Sequence, residues 1–487
     1  MNGDFATTGL IFKEALLWEK GKKGRTAFSM PAADVPPAKE LPEALQGEGP
    51  DFPDLSELEV VRHYTRLSQW NYGVDSGMYP LGSCTMKYNP KIHEKLAALP
   101  GFASAHPLLP ESLSQGALQL MFELQEMLKA VTGLDAASLQ PAAGAHGELC
   151  GMMLFDAWFR SQGEKRDRIL IPDTAHGTNP ASAALCGMKP VALASGEDGI
   201  LHPEAVAALM DDRTAGIMIT NPNTLGLFES HFAEIAAIVH AKGGLVYCDG
   251  ANMNAVMGYV DMKRMGVDVM HFNLHKTFST PHGGGGPGAG PVCVVEKLAP
   301  FLPVPRVVKR EGGYALETEA PLSIGRLHAF YGNFGVLLKA WAYIRSLGPE
   351  LKRVSEMAVL NANYIRVSLK DFYDIAQDRV CMHECVFSDK NLKSFGVSTL
   401  DVAKRLIDLG FHPPTVYFPL VVAGAMMVEP TETESVEELD RFIEAMKRIR
   451  KEAEESPDLL HEAPQRTRVR RLDETAAART PCLCGGM

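Results

Sequence analysis

The sequence predicts an α/β fold, with a large, mostly parallel sheet covered on both faces and a smaller α+β unit behind it. Three observations carry this. Short apolar runs alternate with helical ones from about residue 133 to about residue 300. The polar motifs fall at the carboxyl ends of those runs, where ligands sit in open α/β sheets. After Pro321 the regular alternation stops and longer helices separate isolated strands.

In chain order, residues 30 to 56 are rich in proline and acids and read as an extended arm. Leu118, Met121, Phe122, Leu124, Met127, Leu128 and Val131 recur at helical spacing, and Gly133 ends that helix. Six strands follow: Arg168-Ile-Leu-Ile-Pro, Pro190-Val-Ala-Leu-Ala, Gly216-Ile-Met-Ile-Thr, Gly244-Leu-Val-Tyr-Cys, Val267-Asp-Val-Met-His-Phe and Pro291-Val-Cys-Val-Val. Their near-continuous apolar character suits strands buried on both faces. The second unit begins with a helix over 330–347. A strand at Cys385-Val-Phe, a helix from Thr399 to Leu409 closed by Gly410, and a strand at Ala425-Met-Met-Val-Glu follow. The last helix opens on Ser435-Val-Glu-Glu438, a capping-box pattern. These readings divide the chain into an N-terminal arm and substrate-side segment (1–115), a large domain (116–325), a small C-terminal domain (326–460) and a charged tail (461–487).

Bulk properties exclude several classes. At 487 residues the chain exceeds one ordinary core. A net charge of −11 without a long basic run argues against nucleic acid and against an anionic membrane surface. The longest apolar stretch, Pro419 to Val428, is far short of the roughly 20 residues a bilayer needs. The N-terminus lacks the basic-then-apolar pattern of a signal peptide. Nine scattered cysteines without a CxxC pair read as reduced thiols rather than a metal site. Together these lead us to expect a cytoplasmic enzyme with no metal.

The chemistry concentrates at strand ends. Val267 to Leu274 delivers Lys276, and a loop of small residues, Gly283 to Gly286, follows soon after. Gly244 to Cys248 delivers Asp249. A lysine and an acid at neighbouring strand ends fit pyridoxal phosphate (PLP), held as a Schiff base on Lys276 with its ring nitrogen paired to Asp249. The glycine run could instead cradle a nucleotide phosphate, but no GxxxxGK[ST] is present and no GxGxxG stands between a strand and a helix. Pro141-Ala-Ala-Gly-Ala-His-Gly-Glu148 opens a helix with small residues, so Gly144, Ala145 and His146 offer backbone donors to a phosphate; a plain tight turn is the alternative. His176, after the strand ending at Ile171, could stack on the cofactor ring or simply hydrogen-bond a loop. Asn221 and Thr224 are both candidates for the cofactor's phenolic oxygen, against an ordinary Asn-Pro turn. Ala251 is small enough to let the ring lie against the backbone. Ser83, Thr85 and Lys87 cluster hydroxyls and a cation suited to a small carboxylate, although Lys87 alone also reads as a surface lysine.

Seven stretches, spread nearly end to end, resemble the P-protein family of the glycine cleavage system. They are Tyr79-Pro-Leu-Gly-Ser-Cys-Thr-Met-Lys87, Gln140 to Glu148, His176-Gly-Thr-Asn-Pro-Ala-Ser182, Thr220 to Glu229, the Lys276 loop, Tyr331-Gly-Asn-Phe-Gly335, and Phe411 to Pro419 with Glu429-Pro-Thr-Glu-Thr-Glu434. The resemblance is to the lysine-bearing half of a two-subunit form. It implies the PLP-dependent transferase fold type I (aspartate-aminotransferase-like) and a partner, glycine dehydrogenase subunit 1, in an α2β2 heterotetramer. It further implies decarboxylation of glycine, with the remaining aminomethyl group passed to the lipoyl disulfide of the H-protein. Lys276 and His176 are then catalytic. Lys276, Asp249, Ala251, Gly144, Ala145, His146, His176, Asn221, Thr224 and His275 bind the cofactor, and Ser83, Thr85 and Lys87 bind the substrate. The later proton-handling group stays open among His146, His275 and His282. The final Cys-Leu-Cys-Gly-Gly-Met is not part of the resemblance.

Other classes make different demands. An aminotransferase often grips the substrate carboxylate with a small-domain arginine, for which Arg326 is the nearest candidate. A desulfurase needs a reactive loop cysteine, and Cys381 or Cys385 would have to serve. A non-catalytic subunit would not need both Lys276 and Asp249.

Overall fold

A computed structural model of the chain describes residues 14–25, 31–37, 39, 41–47, 52–281, 283, 286–329 and 332–483. His282, Gly284, Gly285, Phe330, Tyr331 and the terminal Cys484-Gly-Gly-Met lie outside the described residues.

The large sheet has seven strands: β1 (Ala136–Ser138), β2 (Arg168–Pro172), β3 (Lys189–Leu193), β4 (Thr214–Thr220), β5 (Leu245–Gly250), β6 (Val269–Phe272) and β7 (Val292–Val294). Their spatial order is β1-β7-β6-β5-β4-β2-β3. Strands β2 to β6 pair in parallel, while β7 runs antiparallel to both β6 and β1. Every residue of β4 and β5 is buried, which explains their unbroken apolar sequences. β3 differs. It is the sheet edge, half-exposed, and there Pro190 costs no ladder hydrogen bond.

Helix α1 (Glu111–Thr132) covers one face and ends at Gly133 in the left-handed conformation, φ 77°. A Cβ at Gly133 would also meet Asp261 Oδ1 at 2.6 Å. Helix α2 (Gly144–Ser161) covers the opposite face, where Gly151 lets the Tyr247 ring pack directly on its backbone. A short helix, α3 (Thr178–Leu185), follows β2. The sheet thus separates two apolar layers, one containing Leu118, Leu124, Ile217 and Val246, the other Phe155, Ile169, Met218 and Tyr247. A hairpin, β8 (Arg306–Arg310) and β9 (Gly313–Glu317), packs on α1 and has no counterpart in the expected elements.

Helix α4 (Phe334–Leu347), expected to open the small unit, packs instead on α1 and the large-sheet core. The small unit contains α5 (Leu351–Leu369), α6 (Thr399–Asp408) and α7 (Val436–Glu455) around a four-stranded antiparallel sheet. Its strands are β10 (Asp374–Ile375), β11 (Cys385–Ser388), β12 (Thr415–Val416) and β13 (Ala425–Val428), in the order β10-β11-β13-β12. Helix α5 was not expected from periodicity. α6 opens with a full capping box between Ser398 and Asp401, worth about 1 kcal/mol. At α7 the expected box is half formed among the described residues: Ser435 Oγ accepts from Glu438 N–H at 3.3 Å.

The substrate-side segment does not stand apart. Leu81 makes an antiparallel bridge to Val428, and Met78 is buried in the small unit's core. Residues 79–90 therefore lie as a seam against the small sheet, close to the Lys276 loop.

Candidate active site

Lys276 sits on a single helical turn, Leu274–Thr277, directly after β6. Its residue is only 8 % exposed. Among the described residues no ion pair or hydrogen bond engages its ammonium group. A buried lysine whose amine makes no bond is open to reaction. It is suited to a covalent bond with a carbonyl.

The parallel register sets the groups beside it. Thr220 pairs with Asp249 across β4 and β5, and Asp249 pairs with His271 across β5 and β6. Asp249 is 1 % exposed. Its Oδ1 accepts from Ala251 N–H at 2.9 Å, and its Oδ2 accepts from Thr220 Oγ1–H at 3.3 Å. His271 Nε2 lies 3.4 Å from Oδ1, while its Nδ1 meets Tyr247 Oη at 2.6 Å. Burial pushes the Asp249 carboxyl up, yet His271, the Ala251 N–H, Lys276 and His176 outweigh it and hold the group below the usual range. Asp249 is thus a preformed anion. His271 and Tyr247 were not singled out in the sequence; the strand register is the signal that places His271 beside Asp249.

The start of α2 approaches the same place. Ala143 offers no side-chain cap, so the Gly144, Ala145 and His146 N–H groups stay available to a phosphate. Glycine is required here by close packing: a Cβ on Gly144 would overlap the Asn273 amide, and one on Gly290 would overlap the Ala143 backbone. Asn273 Oδ1 is buried without a partner. His146 Nδ1 accepts from Ala142 N–H at 3.2 Å, bracing the turn. Gly288 packs on His275: a Cβ there would lie 2.9 Å from its Nδ1.

His176 keeps an accessible face. Its Nδ1 meets Thr178 Oγ1 at 3.0 Å, and Thr178 Oγ1 donates to Glu148 Oε1 at 2.8 Å. Burial pushes the imidazole below its ordinary value, while Asp249 pulls it up and Lys276 pushes it down. Glu148 is driven up to about 8 by burial and by the charge of Asp249. Neither Asn221 Oδ1 nor Thr224 Oγ1 is idle. Asn221 Oδ1 accepts from Glu229 N–H at 3.0 Å, and Thr224 Oγ1 donates to the Thr174 carbonyl at 2.7 Å.

The seam contributes differently from its sequence appearance. Lys87 is buried. Its Nζ pairs with Glu432 at 2.7 Å and donates to the Thr277 carbonyl at 2.8 Å and to Tyr343 Oη at 3.2 Å. The surface alternative for Lys87 is thereby overturned: it ties the residue after Lys276 to the small unit. Ser83 N–H donates to Glu384 Oε2 at 2.8 Å. Thr85 donates to Glu429 twice, from its N–H at 2.9 Å and its hydroxyl at 2.6 Å. Both residues hold positive φ, 62° and 48°, and turn their N–H groups toward the two carboxyls. A cavity of about 250 Å³ beside the seam is lined by Tyr72, Tyr79, Thr85, Lys87, His275 and Thr280. Cys381 and Cys385 are buried with thiols pushed up, Cys381 to about 12, which is the opposite of an activated loop cysteine.

Known proteins share the sequence and the fold of this chain. The family model described as glycine cleavage system P-protein matches residues 27–310, and the one described as glycine dehydrogenase, C-terminal domain, matches 354–467. A probable glycine dehydrogenase (decarboxylating) subunit 2 from Caldanaerobacter subterraneus is 56 % identical over 96 % of this chain and 98 % of its own. A relative of the same description from Bacillus licheniformis is 53 % identical over 96 % of this chain and 98 % of its own. Among solved structures, a glycine decarboxylase (P-protein) in inhibitor-bound form superposes with a TM-score of 0.71 at 22 % identity, covering 84 % of this chain and 93 % of that one. An aspartate aminotransferase from Thermus thermophilus superposes at 0.58 with 15 % identity, over 77 % and 99 %. The fold is therefore that of the type I PLP enzymes. With more than half the sequence matched by one model and relatives aligned end to end, the chain belongs to the glycine cleavage system P-protein family.

Proposed function

We propose that this chain is the cofactor-bearing subunit of a glycine dehydrogenase (decarboxylating). It binds PLP on Lys276, removes the carboxyl group of glycine as carbon dioxide, and passes the aminomethyl group to the lipoyl disulfide of the H-protein. The observation that carries the reading is the buried, unpartnered Lys276 beside the preformed Asp249 anion at neighbouring strand ends. The residues fit PLP: an acid for the ring nitrogen, and open N–H groups at the start of α2 for the phosphate, in a turn where a Cβ on Gly144 would fill the space.

When bound, PLP supplies a protonated ring that draws electrons from the bond to the substrate carboxylate. The chain's residues do the rest. Asp249 would keep that ring protonated through a charge-assisted hydrogen bond. Gly144, Ala145 and His146 would hold the phosphate. His176, oriented through Thr178 and Glu148, would stack on the ring, and Ala251 would leave room for it. Asn221 would donate its amide N–H to the phenolic oxygen, with Thr224 shaping the loop and His275 as a further cofactor contact. Ser83, Thr85 and Lys87 act on glycine indirectly, by bracing the carboxyls and the loop around it. Orienting the glycine carboxylate and excluding water would favour decarboxylation.

The domain limits proposed are 1–115, 116–325, 326–460 and 461–487. The relatives described as subunit 2 support a separate subunit 1 as partner, in an α2β2 assembly acting on a lipoylated H-protein. Among the described residues no helix is long and apolar enough to cross a membrane, which supports action in the cytoplasm.

The test is exchange of labelled bicarbonate into the carboxyl group of glycine, using this chain, PLP, subunit 1 and a lipoylated carrier. Exchange that requires all of them and disappears in Lys276→Ala is expected. A bound cofactor that responds to another amino acid, with no exchange into glycine, overturns the reading.

A further inference from the structure

Behind Asp249 the sheet holds two buried rings to which the reaction as described gives no role. Tyr247 and Asp249 stand two residues apart on β5 and so share a face, and the parallel register sets His271 of β6 beside Asp249 on that face. The Tyr247 and His271 rings lie nearly parallel, 23° apart, with centroids separated by 5.9 Å. Helix α2 closes over both through two glycines one turn apart. A Cβ on Gly147 would lie 2.8 Å from His271 Cβ, and one on Gly151 would overlap the Tyr247 ring. The pair therefore packs on the helix whose N-terminus seats the phosphate, and it reaches the acid for the ring nitrogen.

Hydrogen bonding decides which nitrogen of His271 carries the proton. Tyr247 is 0 % exposed and His271 1 %. Burial raises the phenol far above its ordinary value and lowers the imidazole, which favours a protonated phenol and a neutral ring with one N–H. Tyr247 Oη meets Nδ1 at 2.6 Å, the one hydrogen bond of this hydroxyl among the described residues. A proton on Nδ1 would leave the phenolic hydrogen without an acceptor. It would also set a bare Nε2 3.4 Å from Asp249 Oδ1, lone pair against carboxylate. The other tautomer meets both demands: Tyr247 O–H donates to Nδ1, and the proton stays on Nε2, beside Asp249. Nε2 makes no full hydrogen bond among the described residues, so its N–H acts on the carboxylate as a fixed dipole at close range.

We propose that Tyr247 and His271 are a positioning pair for the cofactor ring. Tyr247 locks the His271 tautomer. The Nε2 N–H, together with the Ala251 N–H, then holds the Asp249 carboxylate in the orientation that serves the ring nitrogen. The pair breaks and forms no covalent bond and acts only through Asp249. This rests on PLP being bound with its ring nitrogen on Asp249.

The test compares two affinities of the cofactor-free protein, one for PLP and one for the analogue with C–H in place of the ring nitrogen, each by absorbance titration without glycine. General damage weakens both alike, whereas a residue acting through Asp249 changes their ratio. Wild type is expected to prefer PLP. His271→Leu is expected to lower that preference by about 3- to 10-fold, the scale of one net hydrogen bond. His271→Gln, whose side-chain amide returns an N–H near the place of Nε2, is expected to restore most of it. Tyr247→Phe should lower the preference by a smaller factor, and it stands in for His271→Leu should that variant not fold. An unchanged or increased preference in His271→Leu, or in Tyr247→Phe used in its place, overturns the proposal, as does a loss in His271→Leu that His271→Gln does not recover. A wild type without any preference for PLP would sink the pairing of Asp249 with the ring nitrogen, and this proposal with it. Failed glycine exchange with the expected ratios would sink the glycine reading and leave this one standing.

Discussion

Asp249 and Glu384 are both fully buried carboxyls within the field of Lys276, yet the structure drives them to opposite states. Asp249, on the large sheet, accepts from Ala251 N–H and Thr220 Oγ1–H and has His271 at its edge. Glu384, on the small sheet, accepts one N–H and has another carboxyl as neighbour. Burial alone would protonate both. What decides is the number of donors aimed at each oxygen and the sign of the nearest charge. One side of the site is therefore built to hold an anion, the other to hold a proton.

The largest effect expected from breaking this arrangement is at its centre. Lys276→Ala removes the covalent anchor and is expected to lower kcat by roughly 10⁴-fold or more, in the range seen when covalent catalytic groups are deleted. Steady-state decarboxylation with saturating PLP measures it, and turnover near the wild-type rate would rule out Lys276 as the anchor. Asp249→Asn keeps the shape and the Ala251 hydrogen bond but removes the charge. A loss of about 10²–10³-fold in kcat is expected, the scale of one preorganised electrostatic group, with cofactor still bound. If Asp249→Asn matched Asp249→Glu in rate, the charge would be irrelevant and the comparison empty.

Lys87 sharpens the account from the side of stability. Lys87→Met leaves Glu432 buried without its cation and is expected to cost about 3–5 kcal/mol in urea unfolding. Lys87→Met with Glu432→Gln should recover most of that loss; no recovery would mean that the packing of the lysine stem, not the ion pair, matters. The smallest effect concerns Glu148. Its folded pKa, about 8, lies above the ordinary value of 4.5, so the stability it contributes is complete below about pH 4.5 and is lost as pH rises through 8. Glu148→Gln should flatten the fall in Tm of the cofactor-free protein across that window. An unchanged slope would place the titration elsewhere.

The large-sheet half of this site was legible in the sequence because its signals are local. A buried strand announces itself by an apolar run, and Lys276 and Asp249 follow directly from where two such runs end. The small-sheet half was not. Glu384 stands before a four-residue strand, too short to show a period, and nothing near it marks a partner. Thr85 and Glu429 are separated by 344 positions in the chain, and only the folded seam brings them together. Lys87 was visible as a candidate yet ambiguous, since its carboxylate partner, Glu432, lies as far away. The strands' existence was local information; the charge states required the tertiary structure.

Infrared difference spectroscopy at neutral pH tests the contrast between the two carboxyls most directly. The protein with Glu384→Gln should lose one protonated-carboxyl band relative to wild type, and Asp249→Asn should lose none while losing a carboxylate band. A protonated band that vanishes in Asp249→Asn and survives in Glu384→Gln would invert the assignment and contradict the account.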